Sequence, residues 1–109
     1  MKILICGGAG FIGSQLGYYL YNKGHKIILL DDMSYGHYDN LKINNQEFGK
    51  FILDDIRNPS FNNYLDGVDV VFNFAGIAPL PVNQIDPMTS YSVNVAGLAN
   101  VLECCRKAK

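Results

Sequence analysis

The sequence predicts an α/β chain built on a doubly wound parallel sheet, and three observations carry that prediction. An apolar strand, Lys2–Cys6, runs into Gly7-Gly-Ala-Gly-Phe-Ile-Gly13, a glycine-rich turn that opens a helix. A second apolar run, Ile27–Leu30, ends in Asp31-Asp32. Short apolar strands and helical segments then alternate along the chain, the pattern of βαβ units.

Strands are expected at Lys2–Cys6, Lys26–Asp31, Glu47–Leu53 and Val68–Phe74, where apolar runs are bounded by turn residues. Helices are expected at Phe11–Lys23, Pro59–Leu65 and Pro87–Ala108. In the first, Leu16 and Leu20 share a face and Gly24 ends the helix as a C-terminal cap. Pro59 and Pro87 suit first helical turns, and Asp86 is the N-cap of the last helix. Right-handed crossovers give the strand order 3-2-1-4, with the chain ending before a fifth strand. Met33–Gln46 and Ile77–Ile85 read as loops. Met88, Tyr91, Val95, Leu98, Leu102 and Cys105 recur at spacings of three and four, one apolar stripe for covering the sheet or meeting a partner helix.

At 109 residues the chain is at most one domain. A net charge of −1 with no basic run leaves no electrostatic footprint for nucleic acid, so a phosphate-rich ligand must be held by backbone and helix ends. Cys6, Cys104 and Cys105 show no metal-type spacing and fit a reduced, cytoplasmic protein, with Cys6 packed in the first strand. No apolar stretch approaches a membrane span or a signal-peptide core.

The glycine turn carries the chemistry. Gly8-x-Gly10-x-x-Gly13 and Gly7-x-x-Gly10-x-x-Gly13 both fit a dinucleotide fingerprint. Glycines let backbone N–H groups approach a pyrophosphate, and the helix N-terminus adds its own N–H groups and partial positive charge. An acidic residue is expected about 20 positions on, where a carboxylate accepts from ribose hydroxyls. Asp31 stands there, and Asp31–Leu41 contains no Lys or Arg to receive a 2′-phosphate. The expected cofactor is therefore NAD and not NADP. For Asp32 the ligand role and a solvated strand end stand side by side. Asp54-Asp55-Ile56 offers a carboxylate and a backbone N–H to an adenine, or an ordinary strand end. Phe74-Ala75-Gly76 ends the fourth strand at the switch point. Asn94 lies inside the last helix, for touching a ligand or fixing the turns nearby.

Together these residues resemble the extended short-chain dehydrogenase/reductase family, the NAD-dependent epimerases and dehydratases of nucleotide sugars. The likeness spans nearly the whole chain: Gly7–Ser14, Asp31–Gly36, Asp55-Ile56, Phe74-Ala75-Gly76 and Tyr91-Ser-Val-Asn94-Val-Ala-Gly97 are similar to that family's motifs. Asn73, Leu98 and Asp54 depart from it where His, Thr and Gly are common.

The resemblance implies a Rossmann-like fold, with 1–109 as an incomplete N-terminal NAD-binding domain whose C-terminal substrate domain is absent. It implies cofactor contacts from Gly7, Gly10, Phe11, Ile12, Gly13, Asp31, Asp32, Ser34, Tyr35, Gly36, Asp55, Ile56, Phe74, Ala75, Gly76 and Asn94. Phe11 and Ile12 would donate their N–H groups to the pyrophosphate. It implies a nucleotide-sugar substrate for the full-length enzyme and a homodimer through the last helix. The family's proton-transferring Tyr-x-x-x-Lys lies beyond Lys109. Tyr19…Lys23 and Tyr38…Lys42 match the string in the wrong places, so this chain is expected to bind NAD without turnover. The alternative is a dinucleotide-binding or sensing module without chemistry.

Overall fold

Residues 2–6 and 26–31 are almost wholly apolar and form the two central strands, β1 (Lys2–Cys6) and β2 (Lys26–Asp31). The structure, a computed structural model, describes residues 1–108. It divides into two units. One comprises Met1–Asp55 and Gly67–Phe74; the other comprises Ile56–Asp66 and the chain from Ala75 onward.

In the first unit, β1 and β2 pair in parallel, with Ile3 beside Ile27 and Ile5 beside Leu29. The outer strands are β5 (Lys50–Leu53) against β2 and β6 (Val70–Asn73) against β1, both parallel. The order β5-β2-β1-β6 is the expected 3-2-1-4 once a small hairpin between β2 and β5 is counted. Ile3 and Ile5 point to one face of the sheet and Leu4 and Cys6 to the other, and all four are buried. That two-sided burial is the mark of a parallel sheet shielded on both faces. One face forms a core of Ile3, Ile5, Ala9, Ile27, Leu29, Leu41 and Phe48, packed by Leu16, Tyr18 and Leu20 of α1 (Phe11–Asn22).

Helix α1 ends as the sequence predicts. Gly24 has φ +93, its N–H donates to Tyr21 O at 3.0 Å, and the His25 N–H donates to Leu20 O at 3.2 Å. These two bonds close a Schellman motif with glycine in the left-handed position.

Several expectations are corrected. Within the expected loop Met33–Gln46 the chain forms a short 3₁₀ turn, Tyr38–Leu41, and then the hairpin β3 (Lys42–Ile43) and β4 (Gln46–Glu47). Asn44 (φ 52) and Asn45 (φ 63) make the two-residue turn, as Asn tolerates positive φ. The third main strand therefore starts at Lys50, not Glu47. Pro59–Leu65 is no full helix but a 3₁₀ turn, Phe61–Tyr64. Asn58 competes for its start: its side chain accepts from the Ser60 N–H at 2.9 Å and its carbonyl from the Phe61 N–H at 3.0 Å.

The last helix is not continuous. It comprises α3 (Pro87–Tyr91), a wide π-helical stretch (Ser92–Gly97) and α4 (Leu98–Ala108). It is preceded by a short helix, α2 (Leu80–Ile85), where a loop was expected. Asp86 caps α3 as predicted, its carboxylate accepting from the Thr89 N–H at 3.2 Å. Hydrogen bonds from the Thr89 side chain and backbone hold the Asp86 carboxyl below the usual carboxylate range.

Met88, Tyr91, Val95, Leu98 and Leu102 are exposed and Cys105 is half-buried, so the apolar stripe is not the buried face of this helix. The buried row is Ser90, Gly97, Val101 and Cys104. Small residues win because the helix backbone approaches its neighbour closely: a Cβ on Gly97 would lie 2.7 Å from Ile56 Cδ1.

Replacing Gly24 by Ala forces a Cβ into the left-handed region, and an unfolding free energy lower by roughly 1 kcal/mol is expected. Urea denaturation measures it; unchanged stability would refute the cap's role.

Candidate functional site

The turn after β1 needs glycine at the positions where the backbone folds back or is pressed by its neighbours. Gly7 has φ +74 and turns the chain. A Cβ on Gly8 would lie 2.8 Å from Leu29 Cβ, so β2 runs directly over it. A Cβ on Gly13 would lie 2.3 Å from the Gly7 carbonyl oxygen, so helix and turn are in contact there. Gly10 is different: its nearest neighbour would be Gly7 O at 3.3 Å. Of the two sequence registers, the structure selects Gly7-x-x-Gly10-x-x-Gly13 for turn, open backbone and helix packing, with Gly8 as a packing residue against β2.

Gly10 is also the N-cap of α1, and it offers no side-chain acceptor to the helix's first turn, which carries no acidic residue either. The Phe11 and Ile12 side chains are exposed there. The helix N-terminus thus presents backbone donors with no built-in anion, the condition under which a phosphate binds.

Asp31, at the end of β2, is only 9% exposed, which excludes a solvated strand end. Its Oδ2 accepts from the Ala9 N–H at 3.0 Å and its Oδ1 from the Met33 N–H at 2.8 Å. Met33 holds φ +66, a conformation a bulky residue rarely adopts. A carboxylate has about four lone-pair sites, so two remain for a ligand. Gly36 closes over this group: a Cβ there would lie 2.8 Å from Ala9 Cβ and 3.1 Å from Asp31 Oδ1. Asp32 is exposed and accepts from the Ser34 N–H at 2.9 Å, an Asx turn. Tyr35 is half-exposed.

Two residues that sequence reasoning missed complete the arrangement. The Ala9 carbonyl accepts from Asn40 Nδ2 at 2.8 Å and from the His37 N–H at 3.1 Å. Ala9 is therefore held on both sides, by Asp31 at its N–H and by the segment His37–Asn40 at its carbonyl. Nothing in the residues around Asn40 marks it in the sequence, since its partner is a carbonyl 31 residues away. Phe74, one residue past β6, donates its N–H to Cys6 O at 2.9 Å and stacks on Phe72 at 6.1 Å. The first unit thus gathers Gly7–Gly13, Asp31, Gly36 and Phe74 at the carboxyl ends of β1, β2 and β6. The Asp55 N–H donates to Asp54 Oδ1 at 2.7 Å just past β5.

The second unit carries the remaining expected residues. Asn94 sits in the π-helical stretch and pairs with the backbone of one residue twice: Oδ1 accepts from the Ile77 N–H at 2.7 Å and Nδ2 donates to Ile77 O at 3.0 Å. Of its two anticipated uses, fixing a turn is the one these bonds perform. Gly76 is where that turn needs no side chain, since a Cβ would lie 3.1 Å from Asn94 Oδ1. Ala75 precedes it, partly buried, and Ile56 is 3% exposed. Neither Tyr-x-x-x-Lys string makes a proton-transfer pair. Tyr19 lies in α1 with Lys23 Nζ over its ring at 5.3 Å, and Tyr38 and Lys42 fall in the 3₁₀ turn and β3.

The model of the NAD dependent epimerase/dehydratase family matches residues 3–109. The chain belongs to this family. It is 32% identical to CDP-paratose 2-epimerase of Salmonella typhi, over 98% of this chain and 33% of that protein. Its fold superposes at a TM-score of 0.91 and 25% identity on UDP-glucose-4-epimerase from Stenotrophomonas maltophila with bound NAD and formylated UDP-arabinopyranose, covering 99% of this chain and 34% of that one. With DesIV, a dTDP-glucose 4,6-dehydratase from Streptomyces venezuelae solved with NAD, the TM-score is 0.89 at 29% identity, covering 99% and 36%. The chain spans about a third of the length of these three proteins.

Asp31→Asn leaves one buried N–H without its acceptor and is expected to lower stability by roughly 1–3 kcal/mol; Asn40→Ala, whose carbonyl partner keeps the His37 bond, by about 1 kcal/mol or less. Denaturant midpoints of the two variants test the order. The reverse order would show that Asp31 does not hold the turn.

Proposed function

We propose that this chain binds NAD as part of an enzyme that epimerises or dehydrates a nucleotide sugar. The observation that carries the reading is the buried Asp31 carboxylate, tied to Ala9 within the glycine turn and beside an uncapped helix N-terminus. The residues present fit the cofactor. Gly10 leaves the turn's backbone open, and a side chain at Gly36 would cover the carboxylate on which a ribose would rest.

In this reading Gly7, Gly10 and Gly13 shape the pyrophosphate turn, and the N–H groups of Phe11 and Ile12 donate to it. Asp31 accepts from the ribose hydroxyls, with Asp32, Ser34, Tyr35 and Gly36 forming the adenosine loop. Asp55 and Ile56 meet the adenine. Phe74, Ala75, Gly76 and Asn94 serve the cofactor further along, Asn94 by holding Ile77. When bound, NAD supplies the uptake and return of a hydride. The chain's own residues bind and orient it, and none of positions 1–109 is assigned the proton transfer. The nucleotide sugar is the substrate of the whole enzyme. Cys6, Cys104 and Cys105 are thiols, in keeping with a reducing compartment such as the cytoplasm, and among the described residues no helix is long and apolar enough to cross a membrane.

Isothermal titration with NAD and NADP tests the reading. NAD is expected to bind at least about tenfold more tightly, since a 2′-phosphate would meet the Asp31 carboxylate. Nucleotide-sugar turnover by the 109-residue chain is expected to be absent. Preferred binding of NADP, or turnover, would overturn the respective part.

The exposed row Met88, Tyr91, Val95, Leu98 and Leu102 supports a homodimer through the last helix. Val95→Asp is expected to shift sedimentation equilibrium from dimer to monomer. A wild-type monomer at high concentration would refute it.

A further inference from the structure

The helix segment from Ser92 to Asn100 does more than bury a surface within the second unit. Asn100, in the first turn of α4, spends both hydrogens of its amide on one stretch of backbone: Nδ2 donates to Ile56 O at 2.7 Å and to Asn58 O at 2.8 Å. Its Oδ1 faces the Cys104 thiol, one helical turn on, at 3.9 Å. The thiol donates and the carbonyls accept, so the amide has only one consistent orientation.

Two further contacts hold Ile56 and its neighbour Arg57. Gly97 lets the helix backbone abut the Ile56 side chain, where a Cβ would come within 2.7 Å of Cδ1. Arg57 donates from its guanidinium to Ser92 Oγ at 3.1 Å. Ile56 is therefore fixed through its carbonyl and its side chain together. Holding the carbonyl carbon and Cβ fixes the direction of the Cα–N bond, and so the place of the nitrogen that carries the N–H; only rotation of the preceding peptide about that bond remains.

We infer that Asn100 is a positioning residue for adenine recognition, aiming the Ile56 N–H by holding the Ile56 and Asn58 carbonyls. The inference rests on the proposed NAD reading, in which Ile56 meets the adenine. The chemistry of the base makes the aim matter. Adenine presents an acceptor at N1 beside a donating amino group. Hypoxanthine inverts both, with N1–H a donor and O6 an acceptor. A well-aimed N–H pairs with the first and opposes the second.

The test compares NAD with nicotinamide hypoxanthine dinucleotide on the wild-type chain, Asn100→Asp and Asn100→Ala. Asn100→Asp keeps the shape but sets an oxygen against two carbonyls. Asn100→Ala removes the amide. The wild type is expected to prefer NAD by about tenfold or more, and each variant to narrow that preference to about twofold through weaker NAD binding, with affinity for the analogue little changed. A merely structural role would weaken both ligands equally and leave the ratio intact. An intact ratio, a wild type that does not discriminate, or loss of folding in both variants by circular dichroism would each overturn the role of Asn100. A wild type that binds neither dinucleotide would instead overturn the functional reading beneath it.

Discussion

A hydrogen bond of 3.0 Å from the Ala9 N–H to the Asp31 carboxylate ties the glycine turn to the end of β2. Much of the first unit follows from it. The bond can form only because Gly8 lets β2 pass within contact of the turn and Gly13 lets α1 press on the Gly7 carbonyl. It also accounts for the segment after β2. The same carboxylate holds Met33 in its positive-φ conformation, and the Ala9 carbonyl gathers His37 and Asn40. A buried carboxylate is tolerable where backbone donors satisfy it. Here one donor, Ala9, belongs to the glycine turn and the other, Met33, to the segment after β2, so in the proposed reading one side chain serves stability and the site at once.

The second unit uses the same device with neutral amides. Asn94 and Asn100 each make two bonds to backbone, one around Ile77 and the other at Ile56 and Asn58. Both project from one interrupted helix. A π-helical stretch advances the chain by more residues per turn than an α-helix, which changes the face that successive residues occupy. The larger apolar residues stay in solvent while Gly97, Val101 and Cys104 go inside, because at Gly97 the helix backbone comes too close to Ile56 for a side chain.

What was legible in the sequence was local. The strands β1 and β2, the stop at Gly24, the cap at Asp86, the glycine turn and Asp31 are each declared by a few consecutive residues. The hairpin at Asn44-Asn45 was legible in principle, since paired asparagines suit a turn with positive φ, but its strands are two residues each and carry no periodicity. Asn40 and Asn100 were not legible. Their partners are carbonyls 31 and 42–44 residues away, and nothing in composition or spacing points to a distant carbonyl.

By itself, then, the sequence determined the fold class, the order of the main strands, the place of the dinucleotide turn and, through the family motifs, the membership that the comparisons bear out. These depend on periodicity and on backbone conformations that only certain residues adopt. Tertiary structure decided which glycine register packs and which stays open, that Asp31 is buried and twice bonded, that Asn94 holds a turn, and which face of the last helix is inside. Those outcomes depend on how closely two segments approach and on which buried donor finds which acceptor, quantities set by packing between residues far apart in the chain.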